Sequence, residues 1–182
     1  MRYQTVTFRV MSFCLIFGLL AIASTAFARE QKVLYSFCAL SKCSDGQYPF
    51  GGVIMDKAGN LYGATQWGGA YNDGIVFELI PTGNGEWKQQ ILHTFGSQPN
   101  DGSGPLGELL LDSSGNLYGT TISGGAFKYG TVYELVPDNG IWTETILHNF
   151  SQNGFDGSYP NAGLVSDESG NLYGTTFYGC PL

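Results

Sequence analysis

Two histidines are the side chains of this sequence best suited to metal chemistry, and they occupy matching places in two similar segments. His93 lies in Ile-Leu-His-Thr-Phe, and His148 lies 55 residues later in Ile-Leu-His-Asn-Phe. Two imidazoles on neighbouring units could bind a transition ion. A third copy of the segment has Tyr35 at this place, however, and the strand-like context indicates a ring packed between sheets. We therefore predict no metal site and no cofactor.

Two glutamates also match one another, since Glu78 lies in Val-Phe-Glu-Leu and Glu134 in Val-Tyr-Glu-Leu. Glycoside hydrolysis uses a pair of carboxyl groups, but the two groups need unlike environments. Equivalent positions of a repeat supply like environments. Both glutamates are therefore predicted to face outward or to hold a neighbouring unit, and no catalytic residue is predicted.

Three aspartates, Asp45, Asp101 and Asp156, each precede a glycine, and a proline follows each aspartate four residues later. Carboxylates near Asn and Ser suggest calcium, but their spacing differs from the Asp-x-Asp-x-Asp-Gly loop. Aspartate also stabilises turns by accepting hydrogen bonds from backbone N–H groups. We therefore predict that the three aspartates stabilise turns and do not bind calcium.

The three tryptophans divide into two groups. Trp87 and Trp142 recur at equivalent positions, which predicts that they pack in the core. Trp67 does not recur, and it lies in a loop after Gly-Ala-Thr. Exposed aromatic rings can stack on sugars or other partners, so Trp67 is the candidate residue for ligand binding.

All these residues belong to a tandem repeat. The string Gly-Asn-Leu-Tyr-Gly occurs three times, at residues 59–63, 115–119 and 170–174. A fixed spacing of 55 or 56 residues is the signature of a repeat architecture. The repeat region covers residues 29–182, and its units span about residues 33–90, 91–145 and 146–182.

Each complete unit contains four short apolar runs separated by Gly, Pro, Asn and Asp, which is typical of strands and turns. In the first unit, Val53–Met55 is predicted to pair with a strand beginning at Leu61, across a turn that Asp56 and Gly59 form. A third strand ends at Leu79, and a fourth begins near Trp87. The predicted fold class is all-β, with four-stranded antiparallel units of the β-propeller type. A β-solenoid is the alternative, but its parallel strands would not use tight hairpins.

The third unit stops after Tyr178-Gly179, where half a blade is still missing. A closed propeller needs about four or more blades. The sequence therefore predicts an incomplete propeller, either followed by further repeats or completed when several chains assemble. Residues 33–37 resemble the end of a fourth strand and are predicted to close such a ring.

The first 28 residues differ from the rest, with Arg2 and Arg9 before an apolar stretch that ends in Ala26-Phe27-Ala28. This pattern predicts a secretory signal peptide cleaved near Ala28. A membrane anchor is the alternative, but the apolar part is shorter than the roughly 20 residues that a span needs. The mature chain is predicted to have no membrane span and to be extracellular, at the cell surface or periplasmic.

Charge and cysteine content agree with export. The chain has 8 basic and 15 acidic residues, and loss of the signal, which carries two of the basic ones, leaves a net charge of −9. Nucleic acid is therefore excluded as an expected partner. Cys38 and Cys43 flank a small loop and form the predicted disulfide, whereas Cys180 is left without a predicted partner.

The collected motifs, Leu-His-x-Phe, Asp-Gly, Gly-Asn-Leu-Tyr-Gly-Thr-Thr and Gly-Thr-Val-Tyr-Glu-Leu-x-Pro, resemble the GloVer tandem repeat of secreted bacterial proteins. The resemblance covers residues 33–179. It implies an exported propeller-type protein with many repeats and one of several C-terminal surface anchors. This chain ends before any such anchor, and the resemblance implies no catalytic residues.

The sequence thus predicts a secreted or cell-surface protein with a non-catalytic binding or scaffold role, whose partner is an extracellular protein or glycan. The alternative is an extracellular carbohydrate hydrolase or lyase with its site in the central channel or the missing blades. A third interpretation is a truncated gene product without a function.

Overall fold

The computed structural model of the chain describes residues 31–151, 153 and 155–179. The predicted signal peptide and Cys180 lie outside these residues. The described part is built from β-strands and turns, together with one short 3-10 helix, Ser41–Cys43. Within it, no helix is long and apolar enough to cross a membrane. The predicted all-β class is confirmed.

In the structure we number the repeats by their sheets, so that the first repeat extends past residue 90 to Phe95 and the second past residue 145 to Phe150. The first repeat forms one antiparallel sheet in the order β1-β2-β3-β4. Its strands are β1 (Ile54–Met55), β2 (Leu61–Thr65), β3 (Ile75–Pro81) and β4 (Trp87–Thr94). Each strand pairs with the next one along the chain, as short connections favour. The predicted hairpin and four-stranded order are both confirmed.

The second repeat forms the same sheet with one more strand. Its strands are β5 (Gly102–Pro105), β6 (Leu110–Leu111), β7 (Leu117–Gly124), β8 (Thr131–Asp138) and β9 (Ile141–Asn149). Both β5 and β6 pair with β7, which continues through β8 to β9. The edge of the sheet beyond β7 is therefore a strand in two parts.

The third repeat contains the first half of this pattern. Its strands are β10 (Ser158–Pro160), β11 (Val165–Ser166), β12 (Leu172–Tyr173) and β13 (Thr176–Tyr178). β10 pairs with β13, and β11 pairs with β12. These pairings match β5 with β7 and β6 with β7 in the second repeat. All ladders between the named strands are antiparallel.

One correction concerns the Asp-Gly-x-x-Pro segments, which the sequence analysis treated as turns outside the four strands. The structure makes two of them strands, β5 and β10, and the first contributes the isolated bridge Gln47–Trp67. The backbone bends at one equivalent position in each, because Tyr48, Gly104 and Tyr159 all have φ near +60°. In β5 and β10 the bend lies directly before the proline, which approaches a glycine of the preceding repeat, Gly74 or Gly130.

A second correction concerns residues 33–37, which were predicted to form a strand. The structure gives them no strand, although Leu34, Tyr35 and Phe37 pack against Phe77 and its buried neighbours. Their equivalents in β4 pair with β3 of the same repeat. Among the described residues no third strand precedes this segment, so its backbone has no such ladder to join.

The core lies between consecutive sheets. In one cluster, Val76 and Phe95 of the first repeat meet Leu117, Tyr133 and Leu135 of the second. The other cluster covers the opposite face of the first sheet. Trp142 packs against the first cluster and Trp87 against the second, as predicted from their recurrence. Burial of these apolar faces stabilises the packing of each repeat against its neighbour.

The recurring Asp-x-x-Gly-Asn-Leu-Tyr-Gly string is explained by a hydrogen-bond network. Asp112 Oδ1 accepts from the backbone N–H groups of Ser114 and Asn116, both at 2.8 Å. Asp112 Oδ2 accepts from Asn116 Nδ2 at 2.9 Å, and the Tyr118 hydroxyl lies 3.2 Å away. The turns at Asp56 and Asp167 repeat these contacts.

This network predicts an acid-sensitive contribution to stability. Burial alone would raise the pKa of Asp112, but hydrogen bonds from Asn116, Ser114 and Tyr118 hold it below its usual range. Because the folded pKa is lowered, the contribution is complete above about pH 4 and disappears as the pH falls through the folded value. Asp112→Asn should lower the free energy of unfolding by about 1 kcal/mol at pH 7.

The measurement is urea denaturation of both proteins from pH 7 to pH 2.5. We expect the difference between them to shrink steadily below pH 4. Glu168→Gln is the control, because it neutralises an exposed carboxylate in the equivalent turn of the third repeat. A difference for Asp112→Asn that is unchanged at pH 2.5 would contradict the role given to its charge.

Candidate functional site

The most unusual polar cluster lies where the first and second repeats meet, and we call it the second junction: His93, Asp101 and Glu144. His93 is on β4, Asp101 precedes β5, and Glu144 is on β9, which packs beside β4. His93 Nε2 lies 3.6 Å from Asp101 Oδ1 and 3.5 Å from Glu144 Oε2. Three separate segments thus bring a nitrogen and two carboxylates together.

All three side chains of the second junction are buried, with exposed fractions of 9% for His93, 1% for Asp101 and 5% for Glu144. Neither His93 Nε2 nor Glu144 Oε1 has a hydrogen-bond partner among the described residues. Burial, and then the charge of Asp101, raise the pKa of Glu144 to about 8. The junction therefore holds polar atoms that the protein alone leaves unsatisfied.

The sides of the second junction are aromatic. The Phe95 ring lies edge-on to His93 with 4.7 Å between ring centroids, and it contacts Tyr133 at 5.1 Å. The Tyr133 hydroxyl is buried without a partner, and burial and the nearby Glu144 carboxylate raise the pKa of Tyr133 above its usual range. Such surroundings strengthen any electrostatic interaction inside them.

The first junction consists of the equivalent residues Tyr35, Asp45 and Gln89. The Tyr35 hydroxyl donates to Asp45 Oδ2 at 3.1 Å, and Gln89 Nε2 donates to the Asp45 carbonyl at 2.7 Å. Backbone N–H groups of Ala39 and Leu40 also donate to the Asp45 carboxylate, which agrees with the predicted turn role. In the first junction, neutral hydrogen-bond donors therefore satisfy the oxygen atoms of Asp45.

The third junction contains His148 and Asp156. His148 Nε2 lies 3.1 Å from Asp156 Oδ2, which is a hydrogen bond. His148 is half exposed, and the described residues provide no counterpart of Glu144 here. Within the part of the chain that the structure describes, the second junction alone combines histidine with two carboxyl groups.

The second junction can hold a metal ion, since its ligand atoms all lie within 4.8 Å of one another. From their repeat positions, His93 and His148 were candidates for one shared metal site, but each histidine lies beside the aspartate that follows it in sequence, Asp101 or Asp156. Glu144 was missed. The signal was the replacement of Gln89 in the first repeat by a glutamate at the equivalent place, opposite Leu79 and Leu135 respectively.

The glutamates first considered for catalysis have a structural explanation. The Tyr62 hydroxyl lies 2.9 Å from Glu78 Oε1, and the Tyr118 hydroxyl lies 2.7 Å from Glu134 Oε1. Each pair is formed across two strands of one sheet, so these carboxylates contact their own repeat. The hydrogen bond to Glu134, together with burial, raises the pKa of Tyr118 to about 12.

One surface cleft is lined by residues of all three repeats and is largely apolar and aromatic. A cavity of about 470 Å³ is lined by Phe50, Leu106 and Asn161, which are equivalent positions, and by Gln66. A neighbouring cavity of about 380 Å³ shares Asn161. Its other lining residues are Ile122, Tyr159, Phe177 and Tyr178.

We call this surface the aromatic cleft, meaning Phe50, Leu106, Tyr159, Asn161, Phe177 and Tyr178. Phe50 is 66% exposed, and Tyr178 is 54% exposed. Tyr178 lies edge-on to both Tyr159 and Phe177. Trp67, the residue singled out from the sequence, occupies the position equivalent to Tyr178 and is 37% exposed. The cleft residues carry no charge.

A disulfide closes the loop next to the first junction. Cys38 and Cys43, the pair named from the sequence, form a disulfide with their Cα atoms 4.0 Å apart. The loop that they close contains the short 3-10 helix and precedes Asp45 directly. The bond therefore restrains the segment that presents Asp45 to Tyr35.

Consecutive antiparallel sheets joined by repeated polar junctions define a tandem-repeat β protein. The chain belongs to the Gloeobacter/Verrucomicrobia repeat family, whose pattern matches residues 21–181. Comparison with curated proteins found no match. Membership confirms the repeat family expected from the sequence motifs.

Proposed function

We propose that this protein is a secreted or cell-surface binding module, and that the aromatic cleft is its recognition surface. The observation that carries the proposal is the exposure of Phe50 and Tyr178 beside two adjoining cavities. Exposed aromatic rings offer large, rigid contact areas to sugar rings or apolar side chains. The N-terminal signal pattern and the acidic composition support an extracellular location.

We also propose that the repeats are blades around a common axis next to the aromatic cleft. A Cβ atom at Gly51 would lie 2.9 Å from the Gly107 carbonyl oxygen, and one at Gly107 would lie 2.5 Å from Ala162. These equivalent positions thus approach closely from three consecutive repeats. Such convergence is expected of the innermost strands of a propeller.

Binding tests should begin with glycans, because stacking on sugar rings suits an uncharged aromatic cleft. The purified protein would be applied to a glycan array and to insoluble peptidoglycan and polysaccharides. We expect binding by the native protein and a loss of affinity of at least about tenfold in the Phe50→Ala/Tyr178→Ala double variant.

The control is Ile141→Ala, which removes an exposed apolar side chain at the β8–β9 hairpin. It should bind like the native protein. If only envelope proteins were retained, the cleft would be a protein-binding surface. Failure to bind any glycan or envelope protein, or equal binding by the double variant, would remove the proposal.

An extracellular carbohydrate hydrolase or lyase is the second candidate. It is favoured by Glu108, an exposed carboxylate where the equivalent residues are Gly52 and Gly163. A Cβ atom at Gly52 would lie 3.2 Å from the Glu108 carboxyl carbon, so Glu108 reaches towards the first repeat. Turnover of a polysaccharide that Glu108→Gln abolishes would establish this function in place of simple binding.

A further inference from the structure

We propose that the second junction binds a divalent transition-metal ion, with His93 Nε2 and the carboxylates of Asp101 and Glu144 as ligands. The ion would link β4 of the first repeat to β9 of the second. This role is separate from recognition at the aromatic cleft, and it would make the contact between two consecutive sheets dependent on metal.

The spacing of the donor atoms supports this assignment. His93 Nε2 lies 3.5 Å from one carboxylate oxygen and 3.6 Å from the other. These separations exceed those of good N–H···O hydrogen bonds, which are 2.7–3.2 Å. Bonds of about 2.0–2.2 Å to a tetrahedral ion place ligand atoms roughly 3.3–3.6 Å apart. Nε2 is therefore spaced for a shared ion rather than for a hydrogen bond to either partner.

The burial of unpaired atoms is the second argument. His93 Nε2 and Glu144 Oε1 are inaccessible to solvent and have no hydrogen-bond partner among the described residues. Buried polar groups are costly when unsatisfied, and two buried carboxylates repel one another. The ion pairs found for Asp101 and Glu144 in the described structure both involve His93 alone. A divalent cation would coordinate these unpaired atoms and would compensate the charge of both carboxyl groups as they ionise on binding it.

The other two junctions supply an internal comparison. Where Tyr35 and Gln89 replace the histidine and glutamate, neutral hydrogen bonds satisfy Asp45. In the third junction, where no glutamate is described, histidine approaches the aspartate to 3.1 Å. Among the described residues, the second junction is the one in which the histidine lies at nearly equal distances from two carboxyl groups.

Outer contacts orient the proposed ligand Asp101. The backbone N–H of Ser97 donates to Asp101 Oδ2 at 3.0 Å, and the Gly102 N–H donates to Oδ1 at 2.7 Å. Hydrogen bonds of this kind hold ligating carboxylates in place. Asp101 and the exposed residues 98–100 also line an open cleft of about 480 Å³, which offers a route for an ion.

The donor set selects the class of ion. One imidazole nitrogen with two carboxylates suits Zn²⁺ and neighbouring transition ions, whereas Ca²⁺ and Mg²⁺ prefer oxygen ligands alone. The probe is therefore Zn²⁺, added to tag-free protein that has been treated with a chelator and dialysed. Isothermal titration calorimetry should give one tight site per chain, and Zn²⁺ should raise Tm by several degrees.

The test variant is His93→Tyr/Glu144→Gln, which gives the second junction the side chains of the first. It should fold, as circular dichroism would check, and its affinity for Zn²⁺ should fall at least about 100-fold. The single variant Glu144→Gln serves if the double variant does not fold. The matched control is His148→Tyr, which should retain the native stoichiometry and affinity.

Co²⁺ gives an independent readout in the native protein, because its visible absorption reports low-coordinate nitrogen and oxygen ligation. We expect such a spectrum and its displacement by Zn²⁺. Absence of a tight Zn²⁺ site, equal Zn²⁺ binding by Glu144→Gln, or preference for Ca²⁺ at these residues would overturn the proposal.

Discussion

Replacement of Phe95 by alanine is expected to lower the free energy of unfolding by about 3–5 kcal/mol, a large part of the stability of a typical domain. The Phe95 ring is fully buried between the first two repeats. It contacts His93 on one side and Tyr133 on the other. Alanine would leave a cavity that the flanking strands cannot fill, because two sheets hold them apart.

The measurement for Phe95→Ala is urea denaturation followed by fluorescence and circular dichroism. Phe127→Ala is the control, since Phe127 is 55% exposed and its loss should change stability by no more than about 0.5 kcal/mol. If both variants lost the same small amount, the core between the repeats would not be the main source of stability.

Replacement of Gly74 by alanine is expected to cost roughly 3–5 kcal/mol, because strain and overlap act together. Gly74 has φ of +96°, and a Cβ atom there would overlap the carbonyl oxygens of Thr65 and Gln66 and lie 2.7 Å from Pro105 Cδ. Pro105 belongs to the next repeat. The glycine therefore permits the close approach of two repeats as well as the turn before β3.

The variant Gly59→Ala separates backbone strain from the steric overlap of the added Cβ atom. Gly59 has φ of +90°, but a Cβ atom there would meet no other atom within 4 Å. Its replacement should cost only about 1–2 kcal/mol of conformational strain. Denaturation of both variants gives the comparison, and equal losses would show that the close approach of backbone and Pro105 at Gly74 contributes nothing.

Local patterns predicted the strands well because each pattern has a local cause. The Asp56 turn, the β1–β2 hairpin and the start of β4 at Trp87 all follow from side chains close in sequence. The strand character of Gly102–Pro105 was missed, because its pairing with β7 depends on a partner about 20 residues away. Gly and Pro also disfavour strands when considered alone.

The second junction could be predicted only in part. Histidine and aspartate were visible as repeated residues, and each was considered separately for metal binding. Glu144 belongs to a different repeat, and it meets His93 only because β4 and β9 pack side by side. No spacing within one repeat encodes that contact. Alignment of Glu144 with Gln89 was the available signal, since a half-buried amide of the first repeat is replaced by a carboxyl group in the second.

The three junctions show how a repeated scaffold separates architecture from chemistry. Tyr35 and His93 occupy the same place, as do Gln89 and Glu144, while the strands around them keep the same pairing. Two substitutions thus place a histidine and a second carboxyl group where the first junction has two neutral side chains, while the strand pairing stays the same. Functional differences among repeats of this kind should therefore be sought at the junctions, where equivalent residues differ from one repeat to the next. The motif that identifies the repeats is the same in each of them.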